Sequence, residues 1–134
     1  MSRSMVILYV PEQEAARRFY EALLAAPPVL HVPGMTEFEL PGGLLLGLMP
    51  EAGIRRLLPA LAVCFRGDAP QAPPAPLRAE LYLAVDDAEA WLTRALAAGA
   101  RLLDPVAARP WGDRAGYALD PWGHVLALAE TSSP

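Results

Sequence analysis

The first readable pattern in the chain is six consecutive apolar residues, Met5–Val10, stopped by Pro11. A short apolar run bounded by a turn residue predicts a strand. Over residues 12–26 the period changes. Ala16, Phe19, Tyr20, Leu23 and Leu24 recur at helical spacing behind an acidic start, which predicts an amphipathic helix stopped by Pro27-Pro28. Short strands follow at 29–32, 36–40 and 44–49, the last entered through the turn Pro41-Gly42-Gly43.

The same order then returns. Residues 80–85 predict a strand, and Asp86-Asp87 offer side-chain oxygens to cap a helix over 88–98. Trp91, Leu92, Ala95 and Leu96 form the apolar stripe of that helix, with Trp91 expected in the core, and Gly99 supplies its left-handed end. Strands at 101–103, 114–119 and 124–129 complete the half, the last two joined by Asp120-Pro121-Trp122-Gly123. Leu8-Tyr9-Val10 overlies Leu83-Ala84-Val85 at an offset of 75, and Phe19 and Leu23 overlie Leu92 and Leu96 at 73. The pattern is therefore a duplication, with modules at 1–50 and 80–134. Units of roughly 50 residues bury too little surface to stand alone, so one domain, 1–134, is expected. The connection, 51–79, is proline-rich over 66–78, and 54–65 leaves room for a short helix or an extra strand.

Strand alternation sorts the side chains. Val6, Leu8 and Val10 share one face of the first strand, and Leu81, Leu83 and Val85 one face of its counterpart; these aliphatic sets belong under the helices. Met5, Ile7 and Tyr9, and Glu80, Tyr82 and Ala84, then point the other way. Two tyrosines and a carboxylate beside apolar residues suit the lining of a ligand cavity. The alternative for Glu80 is an edge strand opening in water.

Composition narrows the chemistry. Hydrophobic residues make up 54% and charged residues 19%, which excludes a disordered chain. The formal charge is −4 and the 11 cations are scattered, so no basic face exists for a nucleic-acid partner. All of those cations are Arg, which excludes a Schiff-base lysine and a P-loop lysine. Serine occurs only at Ser2, Ser4, Ser132 and Ser133, which argues against a serine hydrolase. Cys64 stands alone, so no intrachain disulfide or cysteine-rich zinc site can form, and it reads as a small core residue. No apolar run reaches the ~18 residues of a membrane span, and Met5–Val10 is too short for a signal peptide. A cytoplasmic protein with no membrane partner is expected.

The helix ending Phe19-Tyr20-x-x-Leu23-Leu24, the segment 80–87, and Trp111-Gly112 followed by Tyr117-x-x-Asp120-Pro121-x-Gly123 together resemble the vicinal oxygen chelate superfamily of glyoxalase I, extradiol dioxygenases and bleomycin-resistance proteins. Arg109-Pro110-Trp111-Gly112 followed by Asp120-Pro121-Trp122-Gly123 is most similar to its antibiotic-binding branch. The resemblance implies an α+β fold of two tandem βαβββ modules forming a cupped mixed sheet. Helices would lie on the outer face, a ligand in the cup, and two copies would form a homodimer. It also implies four metal-ligand positions. These fall on Met5, on a strand at 44–49 with no carboxylate or imidazole, on Glu80, and on Ala127. One carboxylate cannot hold a divalent ion, since such sites take three or more protein ligands. His31 and His124 read as surface or turn residues. No metal and no cofactor are therefore expected, Glu80 being the sole remaining ligand.

What remains is a metal-free binding site for a small molecule, cationic or aromatic, built from Glu80, Tyr82, Tyr9, Trp111, Tyr117 and Arg114. Trp111 serves either the pocket or a dimer contact, Trp122 caps its turn, and Asp113 with Arg114 reads as a solvated loop, a local ion pair on the rim being the alternative. Two other classes stay open. One is a metal-dependent lyase, isomerase or dioxygenase of the same superfamily; the other is a regulatory module whose cup is filled by its own side chains.

Overall fold

In the computed structural model, residues 4–60 and 79–131 are described. The expectations for Cys64 and for the proline-rich stretch 66–78 lie outside them. The described residues form two compact units, 4–21 with 26–60, and Ala22–Ala25 with 79–131. The fold is α+β, with two four-stranded mixed sheets and, among the described residues, three helices. No helix among these residues is long and apolar enough to cross a membrane.

The first module runs β1 (Met5–Val10), α1 (Gln13–Leu24), β2 (Leu30–Val32), β3 (Met35–Glu39) and β4 (Leu45–Pro50), with sheet order β1-β4-β3-β2. β1 and β4 are parallel, from Met5 opposite Leu45 to Val10 opposite Pro50, and the remaining pairs are antiparallel. The short helix α2 (Glu51–Leu57) follows at once, starting earlier than the expected 54–65. The second module repeats the plan with β5 (Glu80–Ala84), α3 (Ala88–Ala97), β6 (Arg101–Ala108), β7 (Arg114–Leu119) and β8 (Val125–Glu130), in the order β5-β8-β7-β6. Each module is thus a βαβββ unit with its own hydrogen-bonded sheet.

Local chemistry sets the ends of α3. Asp87 is its N-cap and accepts from the Ala90 amide at 3.1 Å, as expected of a side-chain cap. At the other end Gly99 sits at φ +117°, its N–H bonding Leu96 O while Ala100 N bonds Ala95 O. That paired closure is a Schellman motif, and the left-handed residue it needs is the glycine. Three hairpins share one hydrogen-bond pattern at the turn. Leu40, Arg109 and Asp120 each accept from the glycine three residues on, and each donates to the carbonyl four residues on. Proline follows each of these residues, and Gly43, Gly112 and Gly123 take φ of 102°, 105° and 95°. Proline presets the first turn position and glycine supplies the left-handed one.

In the second module the predicted faces hold. Leu81 and Leu83 are buried while Glu80, Tyr82 and Ala84 are exposed. α3 packs across β6, β7 and β8 on the leucine side. In the first module Val10 is fully buried, but Val6 remains exposed, so burial along β1 is graded rather than alternating. Two expectations need correction. Trp91 is half-buried instead of core, its ring stacked under the Arg94 guanidinium at 4.4 Å. The strand expected at 101–103 continues to Ala108, through Pro105, with register shifts between Leu102, Asp104 and Ala107. β6 is an edge strand, where a proline and a bulge cost little.

Gly116 of β7 lets the helix meet the sheet. A Cβ there would lie 2.8 Å from Val106 Cγ2 and 3.0 Å from Leu92 Cδ2. Gly116→Ala is expected to lower unfolding free energy by about 1–3 kcal/mol through overpacking, read from urea denaturation.

Candidate functional site

Register decides which side chains meet on the face of the second sheet opposite α3. Tyr82 pairs with Ala127, and Ala127 with Tyr117, so these three form a row across β5, β8 and β7. Asp104 of β6 extends it, paired with Tyr117. The neighbouring positions on this face of β7 and β8 are Ala115 and Ala129, both fully buried.

At one end of this row the turn 110–112 brings its residues to Tyr82. Trp111 Nε1 donates to the Tyr82 hydroxyl at 2.8 Å, and the hydroxyl donates to Asp113 Oδ2 at 2.5 Å. The direction is forced, because an indole nitrogen can only donate; the phenol must receive that bond and pass its own proton to the carboxylate. Burial, followed by the hydrogen bond to Asp113, raises the Tyr82 pKa above the ordinary tyrosine value. The phenol therefore stays neutral and the chain Trp111–Tyr82–Asp113 is fixed in one polarity. Both rings remain accessible, Tyr82 at 41% and Trp111 at 56% exposure. Glu80 lies two residues before Tyr82 on the same face and is exposed.

The other expected site residues divide. Tyr117 shares the face, but its ring lies under the Arg109 guanidinium at 5.1 Å. Arg114 does not share it. Alternation places Arg114 with Gly116 on the helix side, where NH2 bonds Glu89 Oε1 of α3 at 3.0 Å. Asp113 thus meets Tyr82 on one face, while Arg114 meets Glu89 on the other. Tyr9 lies on β1 in the first unit and is exposed. Sequence reasoning did not assign Asp113 or Arg109 to the site, although the motif Arg109-Pro110-Trp111-Gly112 ends beside Asp113.

The turn after β7 is built around a carboxylate. Asp120 is buried, and its Oδ1 accepts from the amides of Trp122 at 2.9 Å and His124 at 2.8 Å. His124 Nδ1 meets Oδ2 at 2.7 Å, so this histidine is a turn residue. A second polar cluster lies in the first unit. Gln13 accepts from Gly34 N at 2.9 Å and donates to Val32 O at 2.8 Å, which fixes its amide. Its Nε2 also donates to the buried Thr36 hydroxyl at 2.9 Å. That hydroxyl contacts His31 Nδ1 at 2.8 Å, and His31 Nε2 lies 3.4 Å from Glu14 Oε2. A hydrogen bond from Arg17 holds the Glu14 carboxyl below its usual range. Glu12, Gln13, Glu14, His31, Val32 and Pro33 border an open groove of about 330 Å³ there.

The positions where the resemblance implies metal ligands do not fit a divalent cation. A Cβ on Gly47 of β4 would touch Ile7 and the sulfurs of Met35 and Met5, at 3.1, 3.2 and 3.3 Å, so this patch of the first sheet offers alkyl and thioether groups. Glu80 contributes one carboxylate and Ala127 a methyl. Among the described residues no three His, Cys, Asp or Glu side chains gather closely enough to hold an ion.

The sequence profile of the Glyoxalase/Bleomycin resistance protein/Dioxygenase superfamily matches residues 3–128. A glyoxalase-related enzyme from Fulvimarina pelagi is 25% identical, with a TM-score of 0.74 over 97% of this chain and 88% of that one. A glyoxalase/bleomycin resistance protein/dioxygenase family enzyme from Burkholderia phytofirmans shares the fold at 18% identity, with a TM-score of 0.79 over 96% and 97%. Protein ATC0852 from Agrobacterium tumefaciens is 26% identical, with a TM-score of 0.67 over 99% and 100%. No curated protein matches the chain.

Two outcomes follow from these contacts. Because the folded state favours the neutral Tyr82 phenol, the unfolded chain loses its proton first, and stability falls as pH rises above about 10. Alkaline titration of phenolate absorbance should show a late component that Tyr82→Phe removes. Asp120→Ala strips three hydrogen bonds from a buried turn and should cost about 2–4 kcal/mol in urea unfolding.

Proposed function

The chain belongs to the glyoxalase/bleomycin resistance protein/dioxygenase superfamily, and from that premise we propose that it is a metal-free small-molecule-binding protein that sequesters a planar cationic ligand. The observation that carries this reading is the polarity of the Trp111–Tyr82–Asp113 chain. Its two side-chain donors are consumed internally, so the chain itself offers a guest no N–H or O–H and ends on a carboxylate. Glu80 adds a second carboxylate on the same face. A guest meeting this surface must bring the donors, and an ammonium, amidinium or protonated ring nitrogen does so. The exposed indole of Trp111 presents a π face on which a planar cation can stack, a contact of roughly 0.5–1 kcal/mol at an exposed site.

Sequestration by binding asks only for affinity. The donor set at the positions described above does not fit a divalent ion. A cytoplasmic homodimer is part of the same proposal, since two copies would double the capacity without changing the chemistry of each site. The Fulvimarina pelagi protein is called an enzyme, which makes a metal-dependent activity the competing outcome of the test.

Calorimetry should show that 9-aminoacridine, a planar aromatic cation, binds and that 2-naphthoate, a planar aromatic anion, does not. Glu80→Gln and Asp113→Asn should each weaken the cation by on the order of tenfold. Equal binding of both probes, or a cation affinity that neither substitution moves, defeats the reading. So does stoichiometric Ni, Zn, Mn or Fe in the purified protein that Glu80→Ala abolishes.

A further inference from the structure

Arg109 stands directly before the turn that carries Trp111 and Asp113, and its main chain closes that turn. Arg109 N donates to Asp113 O at 2.8 Å, and Gly112 N donates to Arg109 O at 3.0 Å. The side chain then folds back over the hairpin. Nε and NH2 donate to Ala115 O at 3.0 and 2.7 Å. NH2 also donates to Pro105 O at 3.0 Å, and NH1 to Asp104 Oδ2 at 2.8 Å. Four of the five guanidinium N–H groups are therefore engaged, and the plane stacks on Tyr117. These partners lie on both sides of the turn, two on β6 and two on β7.

The need for such a staple comes from β6. Its register shifts between Leu102 and Asp104 and again between Asp104 and Ala107, and Pro105 has no N–H to give. The Pro105 carbonyl, within the interruption, and the Ala115 carbonyl, at its edge, both accept from the guanidinium. An interrupted ladder leaves the hairpin free to pivot just below its turn, and a pivot there moves Trp111 and Asp113 together. Only a planar fork with several fixed donors can bind both strands at once; an ammonium group is a single point charge.

We infer that Arg109 is the positioning residue of the site, holding the β6–β7 turn so that Trp111 Nε1 and the Asp113 carboxylate converge on the Tyr82 hydroxyl. The inference rests on the reading of this face as the binding surface, and it deepens that reading by naming what keeps the surface in register. Arg109 itself touches no ligand. It acts through Asp104, Pro105, Ala115 and Tyr117.

The test is Arg109→Lys, with Asp104→Asn as a milder variant that removes the charge of one exposed partner and so weakens its bond to the guanidinium. Three readouts are taken: the alkaline titration of Tyr82 as the difference from the same protein carrying Tyr82→Phe, the emission of Trp111, and affinity for 9-aminoacridine. In Arg109→Lys the Tyr82 titration should fall toward that of an ordinary tyrosine, and the Trp111 emission should shift. Cation affinity should drop on the order of tenfold. Asp104→Asn should move all three in the same direction, with an affinity loss of about threefold.

A role confined to stability would lower the melting temperature and leave the Tyr82 titration of the folded protein unchanged; that result overturns the inference. If Arg109→Lys does not fold, a wild-type titration in folded Asp104→Asn overturns it equally. Should the wild type bind no cation while Arg109→Lys still shifts Tyr82, the binding reading falls and the positioning role stands.

Discussion

The second module depends on a phenol crossing a strand. Tyr82 lies on one edge of its sheet and the turn that receives its hydroxyl joins the two strands at the far side, with β8 between them. The residue of β8 directly beside Tyr82 is Ala127, whose methyl leaves the path open. A long side chain there would occupy the space through which the phenol passes. The resemblance places a metal-binding glutamate at this position. Alanine here goes with the hydrogen-bonded chain between Tyr82, Trp111 and Asp113.

The duplicated modules have diverged in what they put at equivalent places. Met5 and Glu80 both open the first strand of a module, 75 residues apart. In the first module the surrounding side chains are Ile7 and the thioethers of Met5 and Met35, gathered over Gly47. In the second they are a carboxylate and a tyrosine whose hydroxyl is committed at both ends. A polar cluster of the first module lies at the start of α1, where the Gln13 amide and His31 both meet the Thr36 hydroxyl. The same imidazole turns its other nitrogen, Nε2, toward Glu14 Oε2.

Much of the architecture was legible because it is local. Apolar period, Pro-x-Gly turns and the caps of α3 are each decided within about six residues, and the offset between halves exposed the duplication. The shared face of Glu80 and Tyr82 was legible for the same reason, from alternation. Asp113 and Arg109 were not, because their roles arise from a phenol reaching across another strand and from an interruption in β6 that apolar periodicity does not encode. Arg114 was misplaced by adjacency. One residue along a strand reverses the face, so the neighbour of Asp113 points toward α3. Trp91 was misread as core because helical spacing does not say how far a ring at the margin of a stripe can turn outward onto an arginine.

β6 closes its sheet on the outside, and an outer strand with a regular backbone is a template on which a further strand can form. Pro105 withholds an amide from that rim, and the successive register shifts bend it out of line. The irregularity that obliges Arg109 to staple the hairpin thus also makes this rim a poor seed for intermolecular β-association. Straightening β6, by replacing Pro105 with a residue that restores the amide, would regularise the hairpin at the expense of solubility under crowded conditions.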